Sequence, residues 1–298
     1  MPDALPFVIA PPQDAAAAAS AARVAAAQWG LPEPVHLRTG MNALFIAGDD
    51  VVLRVSRATA PAEQAVWLAQ QLERRAVRVP RHLRDQPVTV ADLAVFAIER
   101  VHAVGEVDWG AVGEMVSRVH AWPVAAVRGR FPLPRGEDFP WWHNTAALAD
   151  VDDLLDGAAR RGLLEAIAEH GDWRSRVTAR VVCHGDVHPG NVVQSADGPV
   201  LLDWDLLCHA PVAWDHAAMM TLASRWGGDA AIYGRFAEGY GTSLDRDPLA
   251  ESLGVMRNIS ATLMRLRAGR RDPAAAAEAA RRLRYWRGDP GAPQWVAQ

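Results

Sequence analysis

The sequence predicts an α+β protein in which a small antiparallel sheet precedes a larger, mostly helical region. Short apolar and β-branched runs separated by turn residues fill the stretch from residue 35 to residue 98. From about Glu106 onward, apolar residues recur at helical spacing instead. One strand-like stretch near 181–203, rich in polar residues at its centre, interrupts the helices.

Residues 14–29 are alanine-rich, open on Asp14 as an N-cap and stop before Gly30-Leu31-Pro32, which marks a helix. Strands are expected at 35–38, 43–47 and 51–56, with Gly48-Asp49-Asp50 as the turn joining the last two. Pro61 opens a helix reaching about Arg75, on which Val66, Ala69 and Leu72 share a face. Strands at 87–91 and 93–98 complete the sheet. Helices are then expected at 106–121, 143–157, 160–170, 212–226, 229–240, 247–268 and 273–286. The alanine tracts at 15–19 and 274–277 act as helix formers, and no internal repeat is present.

At 298 residues the chain can hold one large domain or two lobes. Its net charge of −4 leaves no electrostatic footprint for nucleic acid. The two cysteines, Cys183 and Cys208, suit a reducing interior better than a disulfide scaffold. No apolar run approaches the ~20 residues that span a bilayer, and no basic segment precedes the first apolar residues, so no membrane partner and a cytoplasmic location are expected. All 31 basic residues are arginine. Without lysine, a Walker phosphate loop, a Schiff base and pyridoxal phosphate attachment are all excluded.

Residues 181–205 read Val-Val-Cys-His-Gly-Asp-Val-His-Pro-Gly-Asn-Val-Val-Gln-Ser-Ala-Asp-Gly-Pro-Val-Leu-Leu-Asp-Trp-Asp. A tight loop between two apolar runs would gather His184, Asp186, Asn191 and Asp203 at one end. Asp186 can accept a proton from a hydroxyl, while Asn191 and Asp203 offer oxygen ligands to a hard cation such as Mg²⁺. One base and a pair of metal ligands are what phosphoryl transfer from a nucleotide requires. Read for backbone alone, the same residues describe a turn. The cluster of Cys183, His184, His188, Cys208 and His209 matches no common zinc spacing, and adjacent Cys183 and His184 would point to opposite faces of a strand.

The motif His184-Gly185-Asp186-x-His188-Pro189-Gly190-Asn191, followed by Leu202-Asp203-Trp204-Asp205, resembles that of the aminoglycoside phosphotransferase and choline kinase-like family. The resemblance implies a two-lobed, protein-kinase-like fold, with a nucleotide-binding lobe over residues 1–101. A helical lobe over 102–298 would carry the catalytic loop and the acceptor site, with nucleotide bound in the cleft between them. It implies Asp186 as the catalytic base, His184 as support for its loop, and Asn191 and Asp203 as ligands to Mg²⁺. Asp205 is a further candidate ligand. Asp215, at the start of the next helix, would brace the loop through backbone hydrogen bonds; otherwise it is a helix-start acid favoured by the dipole.

By the same resemblance, Arg54 in Val-Val-Leu-Arg-Val-Ser takes the place of the phosphate-contacting cation, which arginine can fill. Its partner would be Glu63, with Glu73 as the fallback; an exposed strand arginine is the plain alternative. Gly40 and Asn42 fall in the nucleotide loop, or in an ordinary hairpin turn. Glu99 and Val101 fall in the hinge whose backbone would pair with the base of ATP, and no side chain there excludes GTP. Nine residues separate Asp205 from Asp215, too few for a peptide-holding segment, so the expected partner is a small molecule and not a protein.

The candidate acceptors are an aminoglycoside or other antibiotic, a sugar or amino sugar, and an amino alcohol. Residues 104–298 carry 25 acids and 21 arginines, only a modest acidic excess for a polycation. Trp141, Trp142, Trp214 and Trp226 could wall a cation site, and Phe139-Pro140-Trp141-Trp142-His143 is a candidate acceptor-side lip. The alternative to an enzyme is a catalytically silent nucleotide-binding regulatory protein of the same fold. The intact base and metal positions favour the enzyme.

Overall fold

The computed structural model describes residues 14–57 and 61–296. The first helix, α1 (Ala15–Trp29), is capped by Asp14, which accepts from the Ala16 amide, and ends at Gly30 in the left-handed region (φ +64°). Five strands follow around one helix: β1 (Val35–Thr39), β2 (Ala43–Ile46), β3 (Val51–Arg57), α2 (Ala62–Glu73), β4 (Val88–Val90) and β5 (Leu93–Glu99). They form a five-stranded sheet in the order β1-β2-β3-β5-β4, antiparallel throughout.

The central strand β3 is covered on both faces, which explains its nearly unbroken apolar run. Leu53 and Val55 pack with Phe45 and Val95 against the alanine stripe of α1. On the other face, Arg54 lies opposite Phe96, which packs with Val66 of α2. A 5.9 Å approach of the Arg54 guanidinium to the Phe96 ring fixes the direction of that side chain.

The rest of the chain is mainly helical: α3 (Trp109–His120), α4 (Val124–Arg128), α5 (Asn144–Asp150), α6 (Gly157–His170), α7 (Ala213–Met220), α8 (Leu222–Arg225), α9 (Ala231–Tyr240), α10 (Pro248–Gly269) and α11 (Pro273–Trp286). Two hairpin-like pairs interrupt it. β6 (Val181–Cys183) pairs with β9 (Cys208–Ala210), and β7 (Val192–Ser195) with β8 (Gly198–Leu201). The β7–β8 hairpin also ties the two lobes together: the Leu201 amide donates to the Arg78 carbonyl (2.9 Å), and Arg78 Nη1 donates to the Asp197 carbonyl (2.9 Å).

The expected helix at 143–157 ends early, because Asp156 is the N-cap of α6, accepting from the Ala158 and Ala159 amides. The expected helix at 212–226 divides at Thr221, whose hydroxyl donates to the Ala218 carbonyl (3.1 Å). Helix α4 and short 3₁₀ turns at 136–138 and 140–142 lie where no element was expected. Among the described residues, no helix is long and apolar enough to cross a membrane.

Helices α3 and α9 meet backbone to backbone. A Cβ on Gly113 would lie 2.0 Å from the Phe236 carbonyl oxygen, and one on Gly239 would lie 1.9 Å from that of Gly110. Helix α10 packs on α5, α6, α7 and α11. Near its far end a buried ion pair holds the C-terminal segment. Arg282 donates to Glu278 (2.9 Å) and to the Ala261 carbonyl (2.9 Å), and its guanidinium lies 4.8 Å from the Trp226 ring. Glu278 also accepts from the Val296 amide at 2.9 Å.

Both partners of that pair are 2% exposed, so removing one strands a buried charge. Glu278→Ala is expected to cost about 3–5 kcal/mol in denaturant-induced unfolding. A loss within about 1 kcal/mol, the size of a surface pair, would contradict the assignment. A second expectation concerns acid. His216 is fully buried among Tyr233, Phe236 and Tyr240, and burial, then His120, lower its pKa from 6.5 to about 4 against the pull of Asp215 and Asp247. The unfolded chain therefore binds the proton more readily, and stability falls as pH drops from 6.5 towards 4, by at most about 1.4 kcal/mol per pH unit for this group. Urea titrations across that range should show a shallower decline for His216→Phe; an unchanged slope would remove His216 from the account.

Candidate active site

The loop after β6 is held from below. Asp215, in the first turn of α7 and 1% exposed, accepts from the backbone amides of His184 (2.9 Å) and Gly185 (2.8 Å). It also meets His120 Nε2 at 3.1 Å, and His120 Nδ1 in turn meets the Tyr240 hydroxyl at 2.9 Å. Burial alone would raise the Asp215 carboxyl, but these donors and the charge of His120 hold it below its ordinary value, so it is ionised. Gly185 has φ +92°, and a Cβ there would lie 2.0 Å from the Leu206 carbonyl oxygen, so only glycine lets the loop pass this close.

His184 is buried beneath the loop. Its Nε2 lies 2.9 Å from the Leu202 carbonyl, to which it donates, and its Nδ1 accepts from the Asp186 amide (3.2 Å). Those two bonds require the neutral Nε2–H tautomer, and burial lowers its pKa in the same sense. The ring lies 4.4 Å from that of Trp204. His184 therefore joins the two halves of the site through backbone contacts.

Asp186 stands at the tip of the loop. Asn191 Nδ2 donates both to its carbonyl (3.0 Å) and to its Oδ2 (3.1 Å), and His188 Nε2 lies 3.5 Å from Oδ2. Oδ1 is paired with Arg257 of α10. Burial would raise the carboxyl, but Arg257 and then His188 and His184 hold it well below the usual carboxylate range. Arg257 escaped the sequence reading. It falls on the inward side of α10, four residues after buried Leu253 and three before buried Ser260, and a charge in such a stripe calls for a partner.

Asp203 follows β8 in a left-handed conformation (φ +57°), uncommon for a residue with a Cβ. Asp203 is exposed, yet partial loss of water to the groups around it and the charges of Asp205 and Asp186 push its carboxyl up to about 6, against Arg54. Crowded carboxylates of this kind are relieved by a divalent cation. Because the Asn191 nitrogen is engaged by Asp186, its amide oxygen is the atom left for such an ion, and with Asp203 it makes a hard-oxygen donor set that fits Mg²⁺.

The expected pairing of Arg54 with Glu63 is not formed. Arg54 reaches across the cleft to Asp205 at 2.5 Å, and Asn42 Nδ2 donates to the other oxygen of the same carboxylate at 2.9 Å. Glu63 is exposed in the first turn of α2, where the helix dipole favours it, and Glu73 lies near Arg81. Asp205 thus serves Arg54 and Asn42. The charges of Asp205 and Asp203 outweigh the effect of burial and raise the pKa of Arg54.

Gly40 lies in the β1–β2 turn, where its amide donates to the Asn42 carbonyl (3.0 Å). At the expected hinge, the Glu99 amide donates to the Arg81 carbonyl (2.9 Å), its side chain accepts from Arg81 Nε (2.5 Å), and Val101 lies just past the end of β5.

The tryptophans are mainly packing. Trp142, Trp173 and Trp214 are buried against one another, with Trp142 and Trp214 rings 4.3 Å apart, so neither Trp142 nor Trp214 lines a cation site. Trp141 stacks on Phe139 at 4.9 Å, and Trp226 packs under Arg282. The cysteines sit opposite each other on β6 and β9 as free, buried thiols, and burial pushes both pKa values up. His120, Cys183 and Asp215 bring ligand atoms within 4.8 Å of one another, but the two loop amides and His120 already engage the Asp215 oxygens.

No curated protein matches the sequence. Among solved structures, a spectinomycin phosphotransferase in complex with ADP and spectinomycin is 14% identical with a TM-score of 0.64, covering 86% of this chain and 89% of that one. The GDP complex of wild-type aminoglycoside 2'-phosphotransferase-IIIa is 15% identical with a TM-score of 0.67, covering 89% and 96%. The macrolide 2'-phosphotransferase of Brachybacterium faecium, as apoenzyme, is 20% identical with a TM-score of 0.57, covering 89% and 98%. At these identities the likeness is one of fold, the two-lobed protein-kinase-like fold. The family model described as "Phosphotransferase enzyme family" matches residues 42–252, well over half of the chain and a span that holds Arg54, Asp186, Asn191, Asp203 and Asp215. The chain belongs to the phosphotransferase enzyme family.

Proposed function

We propose that this protein is a cytoplasmic small-molecule kinase that transfers the γ-phosphoryl group of ATP to an acceptor hydroxyl, with Asp186 as the base. The observation that carries the reading is the convergence of Asp186, Asn191 and Asp203 beneath a cation, Arg54, that reaches in from the sheet lobe. Solved relatives of the fold include ADP and GDP complexes, so GTP is the competing donor. The short span between Asp205 and Asp215 supports a small acceptor in place of a protein.

The residues divide the work as follows. Asn191 and Asp203 would hold Mg²⁺, which when bound neutralises charge on the phosphates. Arg54, released from Asp205, would steady those phosphates with its planar fork of donors. The turn bearing Gly40 and Asn42 would cover them, and the backbone of Glu99 and Val101 would face the nucleotide base. Asp186 orients the acceptor hydroxyl and takes its proton as its oxygen attacks phosphorus in line. Asp215 and His184 keep Asp186 in position, the first through backbone amides and the second through the Asp186 amide and the Leu202 carbonyl. The lobe boundary is placed between residues 101 and 102.

Asp186→Asn is expected to lower turnover by roughly 10²- to 10⁴-fold with the fold and Mg²⁺-ATP binding intact. The assay is mass spectrometry of acceptor pools incubated with Mg²⁺ and ATP, and wild-type turnover in the variant would refute the base assignment. Asp203→Ala should abolish the Mg²⁺-dependent part of ATP affinity measured by calorimetry. Equal affinity in wild type and variant, with and without Mg²⁺, would remove Asp203 from the metal site.

A further inference from the structure

Asp186 has no idle oxygen. Oδ1 is paired with Arg257, while Oδ2 is met by Asn191 at 3.1 Å and His188 at 3.5 Å. A hydroxyl that passes its proton to this carboxylate can take the second lone pair of Oδ1, and it then lies against Arg257. Asn191 is tied a second time to the Asp186 carbonyl (3.0 Å), and His188 Nδ1 accepts from the Gly190 amide (3.0 Å), so both are fixed within the loop. Arg257 arrives from a different element on a long side chain that is 25% open to solvent, and its other bond to the loop is a 3.4 Å contact with the Gly185 carbonyl. Arg257 is the group that can yield.

Its departure has a cost that depends on what arrives. A half-buried guanidinium drawn off its carboxylate is left without counter-charge. A neutral acceptor offers no replacement, and a polycation brings like charge to the same spot. An acceptor with a carboxylate or phosphate near its hydroxyl offers a new planar, bidentate partner. Arg257 lies beyond the span matched by the family model, so that match says nothing of its role.

We infer that Arg257 is the acceptor-recognition residue of this enzyme and that its acceptor is a hydroxylated anion, with the carboxylate or phosphate placed to take Arg257 from Asp186. The inference rests on the phosphotransfer reading above. In the step itself the acceptor oxygen bonds to the γ-phosphorus and its proton passes to Asp186. The bond from that phosphorus to the β–γ bridging oxygen breaks, and ADP leaves.

The test uses the full chain with Mg²⁺ and ATP against three matched panels read by mass spectrometry. The anionic panel holds gluconate, galacturonate, glycerate and glycerol 3-phosphate, the neutral one glucose, methyl galactoside and glycerol, and the cationic one glucosamine, kanamycin and spectinomycin. Product is expected from the anionic panel, its carboxylate and phosphate members telling the two anion types apart. Arg257→Gln should raise KM for the anionic acceptor roughly 10- to 100-fold, and Arg257→Lys should recover part of that loss. Unchanged melting temperature and Mg²⁺-ATP affinity would show that the glutamine variant is folded. If it does not fold, the wild-type melting temperature decides, measured with Mg²⁺ and a non-hydrolysable ATP analogue: a rise with gluconate or glycerol 3-phosphate but not with glucose or glucosamine supports the inference. Turnover confined to neutral or cationic acceptors, a wild-type KM in a folded Arg257→Gln, or no selective rise overturns it. No product from any panel with Mg²⁺-ATP affinity intact overturns the inference alone; no product together with no Mg²⁺-ATP binding overturns the phosphotransfer reading and the inference with it.

Discussion

The site depends on one buried carboxylate. Asp215 sits in the helical lobe with almost no contact with water, a position that would ordinarily favour its protonated form. It stays charged because two successive loop amides and an imidazole point at it. The dependence runs both ways: without the charge those amides lose their acceptor, and without the amides the charge has no place in the core. Everything above the loop, including the direction of Asp186, inherits its position from that mutual requirement.

A second layer of electrostatics lies across the cleft. Asp186, Asp203 and Asp205 crowd together, and two arginines from distant parts of the chain answer them, Arg54 from the sheet and Arg257 from α10. A chain without lysine meets both needs with guanidinium groups, which keep their charge under enclosure and bind carboxylates by shape as well as by sign. Each arginine occupies a carboxylate. On the function proposed above, binding would exchange ionic partners and leave less uncompensated charge to bury.

The sheet lobe was legible almost residue by residue, because short strands, turn residues and a proline-led helix leave local marks. Helices broke from expectation at Asp156 and Thr221, where one side chain's bond to nearby backbone outweighs apolar periodicity. Asp186, Asn191 and Asp203 were legible as a base and two oxygen ligands, whereas Asp215 came into view through resemblance, since bonds from backbone amides leave no trace in side-chain identity. The partner of Arg54 was misread because Glu63 is near in sequence whereas Asp205 is 151 positions away. Arg257 was missed for a related reason. Its signal, a lone charge in an inward helical stripe, says that a partner exists but not which one. The tryptophans, conspicuous in composition, proved to be mostly core.

The contact between α3 and α9 has a reach beyond packing. Helix α3 carries His120 and α9 carries Tyr240, the two outer members of the hydrogen-bonded chain that ends on Asp215. How deeply the imidazole enters is therefore gauged by how closely two helix backbones can lie, and Gly113 and Gly239 set that spacing. Positions with no functional group thereby bear on where the Asp215 carboxylate is held. The map of intolerance to substitution in this chain should extend along a seam of glycines into the helical lobe, well outside the cleft.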